Sequence, residues 1–468
     1  MHYEPTFESL SRHPVPAWFL DAKLGIFVHW GPSSVPAWAP PGPSPFAIAD
    51  TDGWEASFAR TPYSEWYQNS LAIEGSPTQE HHRRHHPDET YADFVETFRR
   101  GTTGWDPGSW ADLFAATGAR YVVLITKHHD GFLLWPSSTP NPNVADWQSE
   151  RDLVGDLRDA VVERGMRFGV YYSGGIDWTF GGLPITDLQS FVGAIPQSED
   201  YAAYANAHWR ELIERYEPCV LWNDIGYPTV GRSEELIAEY YNAIPDGVVN
   251  NRFDFMGTVA GTTHADFLTP EYDVGGSPGD LGDRAWEACR GLGSSFGYNR
   301  AEPADDLLAP TELVHLLAGI VSSGGNLLLD VGPAGDGTVS MPQAQRLLAL
   351  GWWLDQCGEA VYDTRPHEVH EARTADGTEV RYTRRGDDVF AIVLGTPERS
   401  LVVEGLRLPD DTVVTLLGNR NPVSWRTDAR GTRIELDERP AETPAVAFKL
   451  SPRGGAVEIQ APSGGAGA

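Results

Sequence analysis

The sequence predicts an α/β fold in two parts, a (β/α)8-like barrel over residues 1–362 and an all-β sandwich over residues 363–468. Three observations carry this. Short β-rich runs alternate with helix-length segments over about 350 residues, the rhythm of a barrel with long loops. No glycine-rich phosphate loop follows the first run, which disfavours an open doubly wound sheet. Beyond Tyr362 the chain changes to short alternating runs at the spacing of a sandwich.

The strand candidates are LGIFVHW (24–30), YVVLIT (121–126), FGVYYS (168–173), CVLWND (219–224), GVVNN (247–251), DFLTPE (266–271), SSFGYN (294–299) and NLLLDVG (326–332). Between them lie segments such as PGSWADLFAATGA (107–119), RDLVGDLRDAVVERG (151–165), EDYAAYANAHWRELIERY (199–216) and TELVHLLAGIVSSGG (311–325). Their apolar residues recur every three or four positions, as on a helix with one buried face. MPQAQRLLALGWWLDQCGEAVY (341–362) closes the series. In the C-terminal part, TEVRYTRRGDDVFAIVLG (378–395) reads as a hairpin turning at Gly386 and Asp387. SLVVEGLRL, TVVTLLG, TRIELD and AVAFKL follow as strands, and the tail APSGGAGA (461–468) is flexible by composition.

Composition narrows the function. The 66 Asp and Glu outnumber the 35 Lys and Arg, for a net charge of −31. Polyanion binding needs clustered cations, so nucleic acid is excluded as a partner. The acid excess also suits a surface adapted to high salt. No apolar run is long enough to span a membrane, and no signal peptide opens the chain, so a cytoplasmic protein is expected. Cys219, Cys289 and Cys357 are widely separated and odd in number, which suggests buried free thiols.

Barrel chemistry gathers where strands end. The first candidate strand ends at His29 and Trp30, the second at Lys127, His128, His129 and Asp130. The third closes on Tyr171 and Tyr172, the fourth on Trp222, Asn223 and Asp224. Asn251 and Arg252 follow the fifth, Glu271 and Tyr272 the sixth. Metal hydrolysis through His29, His128, His129 and Asp224 is one reading. Against it, adjacent residues on an extended strand point to opposite sides, so His128 and His129 would not share an ion. HHRRHH (81–86) reads as solvated surface. Glycoside cleavage by two carboxyls fits better, because aromatic platforms and His, Tyr, Trp and Arg donors suit a sugar.

The motifs KLGIFVHWGPSSVPAW (23–38), EWYQNSL (65–71), YVVLITKHHDGFLLWPS (121–137), RDLVGDL (151–157), FGVYYS (168–173), LWNDIG (221–226), SSFGYN (294–299) and GGNLLLDVGPAGDGT (324–338) resemble, in order, the α-L-fucosidases of glycoside hydrolase family 29. The resemblance implies exo-acting, retaining hydrolysis of terminal α-L-fucosides with no metal or other cofactor, a fucosylated substrate as partner, and a tendency toward homo-oligomers. It makes Asp224 the nucleophile and Glu271 the general acid/base, with Asp266 and Glu65 the other candidates for the second role. It places His29, Glu65, Trp66, His128, His129, Tyr171 and Arg252 around the sugar, with Trp222 and Phe296 as walls and Phe296 facing the C5 methyl. Lys127 and Asp130 become supporting residues. The role of Glu271 calls for a less polar setting and the nearby charge of Asp224, both of which help it keep its proton. A narrow preference for α1,3/α1,4-linked fucose or a related sugar, and a catalytically silent sugar-binding protein, are the alternatives.

Overall fold

The computed structural model describes residues 2–272, 284–419 and 421–460. Eight parallel strands form one sheet: β1 Leu24–Val28, β2 Tyr121–Lys127, β3 Arg167–Tyr172, β4 Val220–Asn223, β5 Val248–Val249, β6 Phe267–Leu268, β7 Ala285–Gly291 and β8 Asn326–Val331. Their order is β5-β4-β3-β2-β1-β8-β7-β6, and an isolated bridge between Asn250 and Phe267 links the two ends into a nearly closed barrel. Ile26 lies beside Val122 on one side and Leu329 on the other.

Period-two alternation sorts the strand residues into two cores. Phe27, Tyr121, Val123, Ile125, Tyr171, Trp222, Cys289 and Leu328 point into the barrel. Ile26, Val122, Leu124, Val170, Leu221, Leu327 and Leu329 face the helical layer. Burial on both faces is why these strands read as nearly continuous apolar runs. The helices predicted from periodicity appear as Pro107–Thr117, Leu153–Glu163, Glu199–Tyr216, Pro310–Ser322 and Met341–Cys357.

Two expectations about the fold fail. The seventh strand is Ala285–Gly291 and not residues 294–299, which form a loop beyond it. Glu287 and Arg290 interrupt this strand's apolar run and hide it, while the aromatic SSFGYN imitates a strand. HHRRHH is not uniformly solvated. It ends the helix Pro77–His85, and His82 is buried, with Nδ1 2.9 Å from the Tyr67 hydroxyl and Nε2 2.9 Å from Glu89 O. His81 stacks flat on Trp38 at 4.0 Å.

The C-terminal region is antiparallel. Five strands lie in the order Val413–Leu416, Val446–Ser451, Asp388–Val393, Glu379–Arg385, Arg365–Arg373, with the hairpin turn at Gly386–Asp387. Three more strands, Ser400–Glu404, Gly431–Glu435 and Ser424–Thr427, make a second sheet, and Leu406–Arg407 pairs with Glu458–Ile459. Asp388–Val393 is apolar on both faces for a reason. Val389, Ala391 and Val393 pack in the β-core, while Phe390 and Ile392 join the core of the helical layer, which also holds Trp353. Trp353 Nε1 also donates to Ala445 O at 2.9 Å. The tail expected at 461–468 lies outside the described residues.

Candidate active site

The C-terminal ends of the strands surround a cavity of about 230 Å³. Every residue that the sequence places at the sugar or at the chemistry lines it: His29, Glu65, Trp66, His128, His129, Tyr171, Trp222, Asp224, Arg252, Glu271 and Phe296. Asp266, the other acid/base candidate in the sixth run, does not. It precedes β6 and contacts His13, His264 and Tyr241 at the opposite end of the strand.

The second strand explains its own polar end. β2 stops at Lys127, and residues 128–131 turn, with Gly131 N donating to His128 O at 3.0 Å. Gly131 has φ +76°, and a Cβ there would lie 2.5 Å from Asp177 Oδ1, so the turn requires glycine. Because the strand does not run on, the two histidines do not diverge as expected. Their ring centroids are 3.9 Å apart and both line the cavity. The outer residues hold the turn in place. Lys127 Nζ pairs with Asp177 Oδ2 at 2.9 Å, both fully buried, and Asp130 accepts from the Tyr91 hydroxyl at 2.7 Å and from Phe132 N at 3.0 Å.

Hydrogen bonds orient the histidines. Ser173 Oγ donates its proton to Ile176 O at 2.7 Å, so it accepts from His129 Nδ1–H at 2.6 Å. That leaves His129 Nε2 as an acceptor. His29 Nδ1 lies 2.5 Å from Asp330 Oδ1, and its ring stacks on Phe296 at 4.9 Å. Burial pushes the pKa of His29, His128 and His129 well below the ordinary range, with neighbouring cationic groups adding to the effect. The rings are therefore neutral at pH 7.

Asp224 follows β4 directly and is nearly buried. Tyr171 OH donates to its Oδ2 at 2.8 Å, while Ile225 N and Arg252 Nη1 donate to its Oδ1 at 3.0 Å each. The other arm of the same guanidinium, Nη2, donates to Glu271 Oε2 at 2.9 Å. Tyr63 OH donates to Glu271 Oε1 at 2.8 Å. Glu271 is thus ion-paired and doubly hydrogen-bonded, not in the weakly polar setting its expected role suggests. Arg252 also stacks over the Trp222 ring at 4.6 Å and donates through Nε to Thr269 Oγ1 at 2.9 Å.

Glu65 is a third cavity carboxyl. It sits in the turn Ser64–Trp66 and accepts from Gly297 N at 2.8 Å. Burial pushes its pKa up to about 7, against the hydrogen bonds that stabilise its charge. Sequence reasoning missed Tyr63, Cys289 and Asp330. Cys289 lines the cavity, and Arg252 Nη2 approaches its Sγ at 3.6 Å. Asp330 stands near the C-terminal end of β8, where a survey of strand ends carried past the sixth run would have met it. Nothing in the sequence marks Tyr63, which comes from a long excursion between β1 and β2.

Carboxyls held together among aromatic rings at the mouth of a parallel barrel are the equipment for breaking glycosidic bonds, and the chain is a glycoside hydrolase. The model of one family, Alpha-L-fucosidase, matches residues 1–359. The tissue α-L-fucosidase of Homo sapiens is 35% identical over 456 residues, covering 94% of this chain and 88% of the human protein. Among solved structures, the Thermotoga maritima α-fucosidase in complex with fucose is 41% identical with a TM-score of 0.83, covering 96% of this chain and 100% of that one. The same enzyme in complex with a mechanism-based inhibitor gives a TM-score of 0.85 at the same identity and coverage. The chain belongs to the α-L-fucosidase family.

Proposed function

We propose that the protein hydrolyses terminal α-L-fucosides with retention, Asp224 acting as nucleophile and Glu271 as general acid/base. Asp224 attacks the anomeric carbon, and the bond to the leaving oxygen breaks as Glu271, which takes up a proton when substrate binds, delivers it to that oxygen. A fucosyl ester on Asp224 results. Water then gives its proton to Glu271 and attacks the same carbon, releasing fucose and restoring both carboxyls. The observation that supports this most is the bridging of Asp224 and Glu271 by one guanidinium. A retaining pair works at about 5–5.5 Å, and two acids held on the fork of a single arginine suit that short separation.

The remaining cavity residues suit one sugar. The Nε2 atoms of His29 and His129 and the carboxyl of Glu65 supply polar contacts for hydroxyls. Trp66, Trp222 and Phe296 supply apolar faces, with Phe296 toward the C5 methyl. One of the structural neighbours is itself a complex with fucose.

Chemical rescue tests the assignment. Asp224→Gly is expected to lose nearly all turnover of an aryl α-L-fucoside and to regain it with azide, yielding the inverted β-fucosyl azide. Glu271→Ala is expected to give the retained azide. Undiminished activity of Glu271→Ala on fucosides with poor leaving groups would move the acid/base elsewhere.

A further inference from the structure

A second, larger space opens from the cavity. This groove of about 1030 Å³ shares Phe46, Phe191, Asp224, Ile225, Arg252 and Glu271 with it. If the scissile bond lies between Asp224 and Glu271, the sugar occupies the cavity and its leaving group projects into the groove. The groove's walls are unusual for so acidic a chain. Among the described residues, three of the thirteen large hydrophobic side chains that are exposed line the groove, Phe46, Phe255 and Met256, and two more, Trp54 and Leu188, line the adjoining cavity. Phe255 is 57% exposed and Met256 73%. Single exposed apolar residues are ordinary, but a concentration of them around one opening marks a binding surface. The other side chains in the groove include Asp50, Glu234 and Asp254, while Arg252 is already committed to Asp224 and Glu271.

From this we infer that the groove is a leaving-group site selective for uncharged leaving groups with an extended apolar part. The inference rests on Asp224 and Glu271 flanking the bond that breaks. Phe46, Phe255 and Met256 cover the apolar part, and the carboxylates disfavour an anionic one. The groove's continuity with the cavity makes the substrate its occupant, in preference to a second copy of the chain.

Methyl and octyl α-L-fucosides separate the groove from the chemistry, because their leaving alcohols differ little in acidity. Octyl fucoside is expected to show a kcat/KM at least about tenfold above methyl fucoside, since burying only a few methylenes is enough for that factor. The double variant Phe255→Ser/Met256→Ser is expected to reduce the octyl advantage to about twofold while methyl turnover and the thermal midpoint hold, the lost factor being the apolar contact. An octyl fucoside carrying a terminal carboxylate is expected to fall back to the methyl value. An octyl-to-methyl ratio near one overturns the inference, as does a ratio unmoved by the double variant. A ratio near one together with a lower assembly mass in the double variant assigns the patch to a subunit contact instead. Failure to cleave any fucoside would overturn the proposed reaction and not the groove alone.

Discussion

Trp222 and Glu287 are joined inside the barrel, the indole Nε1–H donating to Glu287 Oε1 at 3.1 Å. Tyr121 OH donates to the other carboxyl oxygen at 2.5 Å, so one buried acid secures the ring on which Arg252 rests. Burial pushes the pKa of Glu287 up to about 7. A carboxyl whose folded pKa lies above its unfolded value contributes stability that is complete at low pH and is lost as pH rises through the folded value. Glu287→Gln keeps an acceptor and removes the titration. Its thermal midpoint, measured against the parent, is therefore expected to improve between pH 5 and pH 8. Glu287→Ala leaves two buried donors unpaired, at about 1–3 kcal/mol each, and is expected to lower kcat more than Glu287→Gln does.

Lys127→Met strands the buried carboxylate of Asp177. Breaking one side of a buried ion pair costs about 3–5 kcal/mol, and urea denaturation is expected to show a loss of that size. Adding Asp177→Asn removes the stranded charge and is expected to recover part of it. No recovery would mean that Lys127 matters mainly through its packing on Tyr172, whose ring lies 4.5 Å from Nζ.

His13 ties the N-terminal segment to the barrel floor. Its Nδ1 lies 2.9 Å from Asp266 Oδ1 and its Nε2 3.1 Å from Pro245 O, an arrangement that the doubly protonated ring satisfies. Although burial opposes the charge, Asp266 holds the His13 pKa above its ordinary value, and the hydrogen bonds from His13 and His264 hold that of Asp266 below its own. The histidine's contribution is full below pH 6.5 and disappears as pH rises through its folded pKa. The aspartate's is full above pH 3.8 and disappears as pH falls through its folded pKa. His13→Gln is expected to flatten the alkaline side of a plot of thermal midpoint against pH. An unchanged plot would show that the ring is neutral.

The charge of −31 predicts self-repulsion that salt relieves. Screening shortens from about 10 Å at 0.1 M salt to about 3 Å at 1 M, so the thermal midpoint is expected to rise over that range. A flat or falling midpoint in molar salt would count against a salt-adapted surface.

How much could be read beforehand follows from where each residue sits. His29, His128, His129, Tyr171, Trp222 and Asp224 stand on or just after strands of four to seven residues, where an apolar run ending in polar residues is visible in the sequence. β5 and β6 are two residues each, too short for periodicity to fix, yet Arg252 and Glu271 still follow them closely. β7 escapes a reading by periodicity because Glu287 lies inside the barrel, where a buried acid looks like an interruption. Glu65 and Phe296 come from outside the strands and are reachable only through the family resemblance. The supporting partner Tyr63 has no pattern at all, since a hydrogen bond from a remote loop leaves no trace in local sequence.

The contact between the turn Ser64–Trp66 and the loop after β7 limits how this protein can be re-engineered. Ser64 N donates to Ser295 Oγ at 3.1 Å and Gly297 N to Glu65, while a Cβ on residue 297 would come within 2.7 Å of Ser64 Oγ. The two segments behave as a single interchangeable part despite their distance along the chain. A loop transplant aimed at a new sugar would have to carry both, and a library that diversifies one alone would mostly sample broken pockets.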